Sequence, residues 1–377
     1  MTSRVFFYVQ HLLGIGHLRR VAVLARALAE GGFDVLVVSG GAPLALDLGR
    51  ARLHQLPPVR ARDEGLRELS RLDGSPIDEA FRIGRVQELV SLLHAEAPSI
   101  VMTEQFPFGR TRLRFELVPL IEAARALRPR PLIVSSVRDV VRRSVTAQRV
   151  AETLEALGNF DLVLIHADPR IVDFGASFAA WDCIASRSAY TGYVAAPERG
   201  ASASDAGKDE VVVSVGGGAV GAPLLRAALA ARRQSVLAGR RWRLLIGSNL
   251  AEAEHAGLER QDGVVIEPAR ADFPTLLANA TLSISQAGYN TVVDILRFAD
   301  RAVLVPFSTE RETEQADRAR LLAAHGMATV VPAESLTAGS LAAGIARALT
   351  GPSLRSFKRC NVGGAAATVE LLRARVA

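Results

Sequence analysis

The chain has 377 residues, longer than the roughly 250–300 at which a single hydrophobic core stops growing, so two domains are expected. Hydrophobic residues make up 49% and charged residues 22%, which excludes a disordered chain, and no apolar run reaches the ~18–20 residues of a membrane-spanning helix. The net charge of +6 rests on arginine, since only Lys208 and Lys358 of the 45 basic residues are lysines, and the arginines are scattered beside acids without the aromatic interleaving of a nucleic-acid groove.

Arg4 to Val9 is a β-branched and aromatic strand, followed by the loop 10–17, a helix from Leu18 to Glu30 and a second strand, Phe33 to Ser39. These make one βαβ unit. Gly14 and Gly16 suggest a dinucleotide loop, but Arg19 stands where a third small residue belongs, so the fingerprint is incomplete and an oxidoreductase is disfavoured. His17 leaves the carboxyl end of the first strand, where open α/β sheets bind ligands. It reads equally as a general base and as a capping or packing histidine. Gln10 and His11 break the first apolar run, which argues against a secretory signal.

Residues 42–76 read as a loop or lid, and Ile77 to Ala97 as a helix. Ser99 to Thr103 is a buried strand that delivers Glu104, either a general base or the partner of Arg110 or Arg112. The stretch Phe106 to Phe115 alternates aromatic and basic groups. It reads as an anionic-membrane contact or as the start of a helix. Strands at 131–136 and 160–165 end in Arg138 with Asp139 and in His166, so four strands deliver polar groups to one sheet edge. That recurrence suggests an acceptor site at Arg138, Asp139 and His166, although Arg138 and Asp139 read as well as an ion pair. Asp168 before Pro169 reads as a turn former.

Tyr190 to Val194 is expected to be the strand leaving the first domain, residues 1–195, with 196–209 as linker. A second domain, 210–362, opens on the strand 210–215 and the glycine loop Gly216, Gly217, Gly218. Further strands are expected at 242–247 and 264–266, the latter followed by Glu267, Pro268 and Ala269. Then comes a strand over 281–285, a turn at Gln286, Ala287 and Gly288, and a helix capped by Asn290 and Thr291 and carrying Asp294. A strand at 302–306 leads to Glu314, Gln315 and Arg318, and helices are expected at 336–349 and 364–376. Cys183 and Cys360 lie far apart without C-x-x-C spacing, so neither a disulfide framework nor a zinc site is expected, and a reducing, cytoplasmic setting fits.

The series Ser285-Gln-Ala-Gly288, Thr291, Asp294, Val305-Pro306-Phe307 and Glu314-Gln315 with Arg318 resembles the nucleotide-sugar-binding half of two-domain GT-B glycosyltransferases, above all the MurG-type N-acetylglucosaminyltransferases. The glycine loop ending in His17 resembles their first loop. The resemblance implies an α/β fold of two doubly wound Rossmann-like domains facing across a cleft, with a C-terminal helix, 363–377, crossing back to the first. It implies donor contacts at Gly14, Gly16, Gly216 to Gly218, Ser285 to Gly288, Asn290 and Thr291. It further implies that Asp294 binds the ribose, that Glu314 and Gln315 hold the sugar, and that backbone groups at Glu267, Pro268 and Ala269 hold the base. Asp294 alone reads more readily as a solvated residue or a first-turn dipole partner than as a ribose ligand.

The implied reaction is a metal-independent, inverting transfer from a UDP-hexose or UDP-N-acetylhexosamine, a co-substrate with no further cofactor, to an acceptor of unspecified class. His17 or Glu104 would act as base. The family usually has Glu at the ribose position and two Gln at the sugar position, and this chain's Asp and Glu-Gln leave the sugar open. A nucleotide-sugar hydrolase or epimerase and a non-catalytic nucleotide-sugar-binding protein are the alternatives. The expected partners are the nucleotide sugar, a small-molecule, glycan or lipid-linked acceptor, and peripherally a membrane, with no nucleic acid.

Overall fold

The computed structural model describes residues 2–376 apart from 13–14, 62–67, 143–145, 198–203, 218–219, 248–249, 256–257, 259–260, 310–311 and 358. The chain divides into two compact units, Met1–Ala196 with Asn361–Ala377, and Pro197–Cys360.

In the first unit the described residues form a seven-stranded parallel sheet. Its order is Arg52–Gln55, Asp34–Ser39, Arg4–Val9, Ile100–Glu104, Leu132–Arg138, Leu162–His166, Ser188–Tyr190. The chain order reverses between Arg4–Val9 and Ile100–Glu104, whose register sets Tyr8 opposite Thr103. At such a reversal the connections leave the sheet in opposite directions and open a crevice at the carboxyl ends of the strands.

The central strands are near-continuous apolar runs because helices cover both of their faces. Side chains alternate between the two layers. Phe6 and Tyr8 pack with Leu89, Leu117 and Leu120, while Val5, Phe7 and Val9 pack with Leu18, Leu24 and Leu28 of the helix Gly16–Glu30. Val369 and Leu372 of the helix Gly364–Val376 complete that second layer.

Two expectations are corrected in this unit, and one pair of alternatives is decided. The segment 42–76 is not simply a loop. Arg52–Gln55 is an edge strand, and Arg60–Ala61 pairs antiparallel with Leu69–Ser70. The edge is marked by charge, for Arg52 reaches Glu96 at 2.7 Å and Asp34 at 3.3 Å, which favours a solvated rather than a paired border. The last strand is Ser188–Tyr190, and Val194 instead forms an isolated bridge with Gly363. The stretch 106–115 takes its helix reading, with the 3₁₀ turn Thr111–Leu113 leading into the helix Arg114–Ala126. Phe106 is 2% exposed, and Phe108 meets Phe174 and Phe178 edge-on with centroids 5.4 and 5.1 Å apart.

The second unit repeats the arrangement in six parallel strands among its described residues. They run Val264–Pro268, Trp242–Ile246, Val211–Ser214, Leu282–Ser285, Ala302–Leu304, Thr329–Val330. The reversal lies between Val211–Ser214 and Leu282–Ser285, where Ser214 stands opposite Ser285. Val211 and Val213 face Leu225, Leu229, Leu341 and Ile345, and Val212 faces Leu276 on the opposite side. The sheet therefore ends its two central strands side by side, at the turns that carry Gly216 and Gly288.

Candidate active site

The first loop and helix bring His17 to the switch point of the first sheet, beside the end of Ile100–Glu104. His17 Nδ1 lies 2.8 Å from Glu104 Oε1. Arg20, one helical turn beyond His17, also donates through Nη2 to Glu104 Oε1. Glu104 and Arg20 are enclosed, with side chains 0% and 1% exposed, while the His17 ring keeps 12% of its surface open. Glu104 thus pairs with groups from the first helix, a finding its sequence neighbours Arg110 and Arg112 do not suggest.

A carboxylate only accepts, so the proton between these two residues sits on His17 Nδ1. That leaves the lone pair on Nε2, the tautomer of a general base. Burial pushes the His17 pKa well below 6.5, and the charges of Arg110, Arg138, Arg20 and His11 push it the same way. The neutral ring prevails because desolvation and three guanidinium groups outweigh one carboxylate that Arg20 already shares.

Arg138 and Asp139 end the strand Leu132–Arg138, and Arg138 lies opposite His166 in register. Asp139 is fully buried and accepts from Val140 N at 2.8 Å. His166, expected on the acceptor side, is also fully buried and turns both ring nitrogens inward, Nε2 to Ser136 Oγ at 3.0 Å and Nδ1 to Thr191 Oγ1 at 2.8 Å. Asp168 does act as a turn former, receiving Arg170 N at 3.0 Å, and it also receives Asn361 N at 2.9 Å. Gly16 is the first residue of its helix, and Gly14 lies outside the described residues.

In the second unit Ser285 ends its strand fully buried and Gln286, Ala287 and Gly288 make the turn. Gly288, with φ −64° and ψ 147°, is the N-cap of the helix Tyr289–Phe298 and brings no capping side chain. Asn290 and Thr291 therefore lie in the first turn rather than at the cap, and Asp294 lies half-buried one turn further on.

The turn is braced from three sides. Gln315 Oε1 accepts from Ala287 N at 3.0 Å and from Phe307 N at 3.1 Å. Arg318 Nη1 donates to Ala287 O at 2.8 Å, and Gln286 Nε2 donates to Val220 O of the glycine loop. Gly216 adopts φ +66°, and a Cβ on it or on Gly288 would lie 3.7 or 4.0 Å from Thr291 Oγ1, so the two glycine turns flank one hydroxyl. Gly217 follows in the same loop, and Gly218 lies outside the described residues. Glu314 opens the helix Glu314–Ala324 and is 7% exposed.

Residues 212–368 match the model described as the Glycosyltransferase family 28 C-terminal domain. That stretch is similar to the C-terminal domain of family 28 glycosyltransferases. Among curated proteins it is 34% identical over 88 residues to the UDP-N-acetylglucosamine–N-acetylmuramyl-(pentapeptide) pyrophosphoryl-undecaprenol N-acetylglucosamine transferase of Rhodospirillum centenum (strain ATCC 51521 / SW). That alignment covers 23% of this chain and 23% of the relative. Among solved structures, CalG4, the calicheamicin glycosyltransferase, superposes with a TM-score of 0.65 at 16% identity over 99% of this chain and 98% of its own. Acinetobacter baumannii MurG superposes with a TM-score of 0.62 at 17% identity over 99% of each chain. The paired parallel sheets are the GT-B fold.

The matched stretch contains the donor-side residues expected from the sequence apart from Gly14 and Gly16. It brings together Gly216, Ser285 to Gly288, Thr291 and Gln315. The edge strand is different, because the Glu267 side chain sits in an ion network, 2.6 Å from Arg243 Nη1 and 3.3 Å from Arg270 Nη1. Ala269 N is already committed to Ile246 O at 2.8 Å, while Pro268 and Ala269 are exposed. Sequence reading passed over Arg20, Ser136 and Thr191. Arg20 carried a signal in its three-residue spacing from His17, whereas Ser136 becomes visible only through its register opposite Glu104.

Proposed function

We propose that the protein is a nucleotide-sugar-dependent glycosyltransferase that moves a hexose or N-acetylhexosamine from a UDP-linked donor to an acceptor hydroxyl. The reading rests above all on the family 28 match over residues 212–368, which spans the braced turn, Asp294 and Gln315. In this reading the backbone N–H groups at the start of Tyr289–Phe298, together with the dipole of that ten-residue helix, stabilise the departing diphosphate. No metal is assigned to that task. Asp294 takes the ribose hydroxyls, and the Glu314–Gln315 pair meets the sugar.

His17 removes the acceptor proton through Nε2, and Glu104 holds the ring by Nδ1. The acceptor oxygen then attacks the anomeric carbon from the face opposite the diphosphate, giving inversion. His17 is the base in preference to Glu104 because the carboxylate is enclosed and already engaged by His17 and Arg20. Its low proton affinity keeps the imidazole neutral at neutral pH, ready to accept.

A thermal-shift screen with UDP, TDP, GDP and ADP sugars tests the donor side. Ligand at 100 times its Kd adds about 2.7 kcal/mol of stability. The expected result is a raised midpoint with UDP sugars that is lost in Asp294→Ala, followed by acceptor-dependent release of UDP that survives a chelator. Release of UDP at an equal rate without acceptor would make the protein a hydrolase, and the absence of any shift would remove the transferase reading.

A further inference from the structure

Hydrogen bonding continues inward from the His17–Glu104 pair. Ser136 lies opposite Glu104 in register, and its Oγ is 2.9 Å from Glu104 Oε2. The same Oγ is 3.0 Å from His166 Nε2, and His166 Nδ1 is 2.8 Å from Thr191 Oγ1. Glu104, Ser136 and His166 are wholly buried and Thr191 is 1% exposed. They come from the ends of three adjoining strands and the residue just after a fourth.

The protons in this chain can be placed. Ser136 has one hydrogen to give, and an ionised carboxylate is a far stronger acceptor than an imidazole nitrogen, so it goes to Glu104 Oε2. His166 Nε2 must then carry a hydrogen, since two lone pairs facing each other at 3.0 Å would repel. The ring stays neutral because burial, and after it the charge of Arg20, pushes its pKa well below 6.5. Its Nδ1 therefore accepts, and the Thr191 hydroxyl supplies the hydrogen, turning it away from Gly192 O, which lies 2.9 Å off. Donation runs one way, from Thr191 through His166 and Ser136 to Glu104.

We propose that Ser136 and His166 are positioning residues for His17. Their aligned donors pin one carboxylate oxygen of Glu104, so that the other faces His17 Nδ1 and the imidazole is held in the orientation and tautomer of a base. The inference rests on the reading of His17 as that base, but its test needs no turnover. The charged and titratable groups around His17 are Glu104, Arg20, Arg110, Arg138 and His11, and His166 senses Arg20 as well. With these constant, removing the Ser136 donor leaves more of the Glu104 charge for the His17 ring.

The experiment is an NMR titration of the histidine rings in the full chain, comparing wild type, Ser136→Ala, His166→Leu and His166→Gln, with His17→Gln to assign the His17 signal. His17 should titrate well below pH 6.5 in the wild type. Its midpoint should rise in Ser136→Ala and His166→Leu, and return toward the wild-type value in His166→Gln, whose amide nitrogen can reach Ser136. The ring nitrogens of His166 should report a hydrogen on Nε2. An unmoved His17 midpoint in folded Ser136→Ala, or a hydrogen on His166 Nδ1 with Nε2 bare, overturns the proposal. Ser136→Ala decides the matter even if His166→Leu fails to fold. With a donor in hand, Ser136→Ala should lower kcat by up to about a hundred-fold at nearly constant KM. A wild type that transfers nothing would sink the transferase reading alone, and the titration would stand.

Discussion

His17 Nδ1 and Glu104 Oε1 meet at 2.8 Å although 87 positions separate them in the chain. They meet because the first and fourth of this sheet's own strands in chain order are neighbours at its switch point, so each residue leaves the carboxyl end of one of two adjacent strands. Replacing Glu104 with Gln keeps the shape but removes the charge that fixes the ring, and kcat should fall by roughly 10²–10⁴. His17→Ala should fall at least as far. Donor affinity, followed by thermal shift, should stay near wild type in both. An equally large loss of donor binding would deny them a part in the chemistry.

The pH dependence has a definite sign. His17 and His166 both have folded-state pKa values below 6.5. The unfolded chain therefore binds more protons below pH ~6.5, and their contribution to stability is complete above that value. It is lost as pH falls from about 6.5 through the folded values, at up to about 1.4 kcal/mol per pH unit for each ring. Thermal midpoints should be level from pH 8 to 7 in this respect and then decline, less steeply in His166→Gln. The acid limb of kcat/KM should likewise fall below pH 6.5, and a limb above pH 7 would contradict a desolvated His17.

Arg85, Glu116 and Tyr8 form a buried cluster behind the same sheet. Arg85 Nε and Nη2 each reach a Glu116 oxygen at 2.7 Å, and the Tyr8 hydroxyl donates to Glu116 as well. All three residues are 0% exposed. Glu116→Ala would strand the guanidinium in the core, and urea unfolding should show a loss of about 3–5 kcal/mol. Tyr8→Phe removes only one hydrogen bond to a charged group and should cost about 1.5–3 kcal/mol.

Gln315 is also a brace for the donor turn. Gln315→Ala would leave Ala287 N and Phe307 N without their acceptor, at a cost of about 1–3 kcal/mol for each N–H that water cannot reach. Donor Kd should rise and the unfolding midpoint should drop together. Weakened donor binding with an unchanged midpoint would instead mean that Gln315 acts only through the ligand.

Gly364 admits no side chain. A Cβ there would stand 2.4 Å from Gly192 O and 2.7 Å from Tyr193 O, both backbone atoms that cannot swing aside. Gly364→Ala should destabilise by about 1–3 kcal/mol and expose the C-terminal helix to limited proteolysis. Unchanged protection of that helix would show that the contact is dispensable.

The fold class is legible in the sequence because buried parallel strands announce themselves as uninterrupted apolar runs, as in Arg4–Val9 and Leu162–His166. The edge strand Arg52–Gln55 is not, since an edge exposes its side chains and its burial pattern carries no apolar signature. The turn at Gly288 is visible through small residues between a strand and a helix, but its bracing by Gln315 depends on a side chain 28 positions away. His166 lay at a legible strand end. Its inward orientation was hidden because only the fold supplies Ser136 and Thr191 as neighbours on either side of the ring.

The helix Gly364–Val376 packs on Gly16–Glu30, so the unit that opens the chain is closed by its last segment. A ribosome delivers the entire second unit before that closure is possible. Until residues 361–376 emerge, Leu18, Leu24 and Leu28 lack part of the cover that Val369 and Leu372 bring. This unit thus breaks the usual order in which a domain made earlier is completed before the next. Chains truncated after Cys360 and released from the ribosome should carry a folded second unit beside a first one that still binds chaperones.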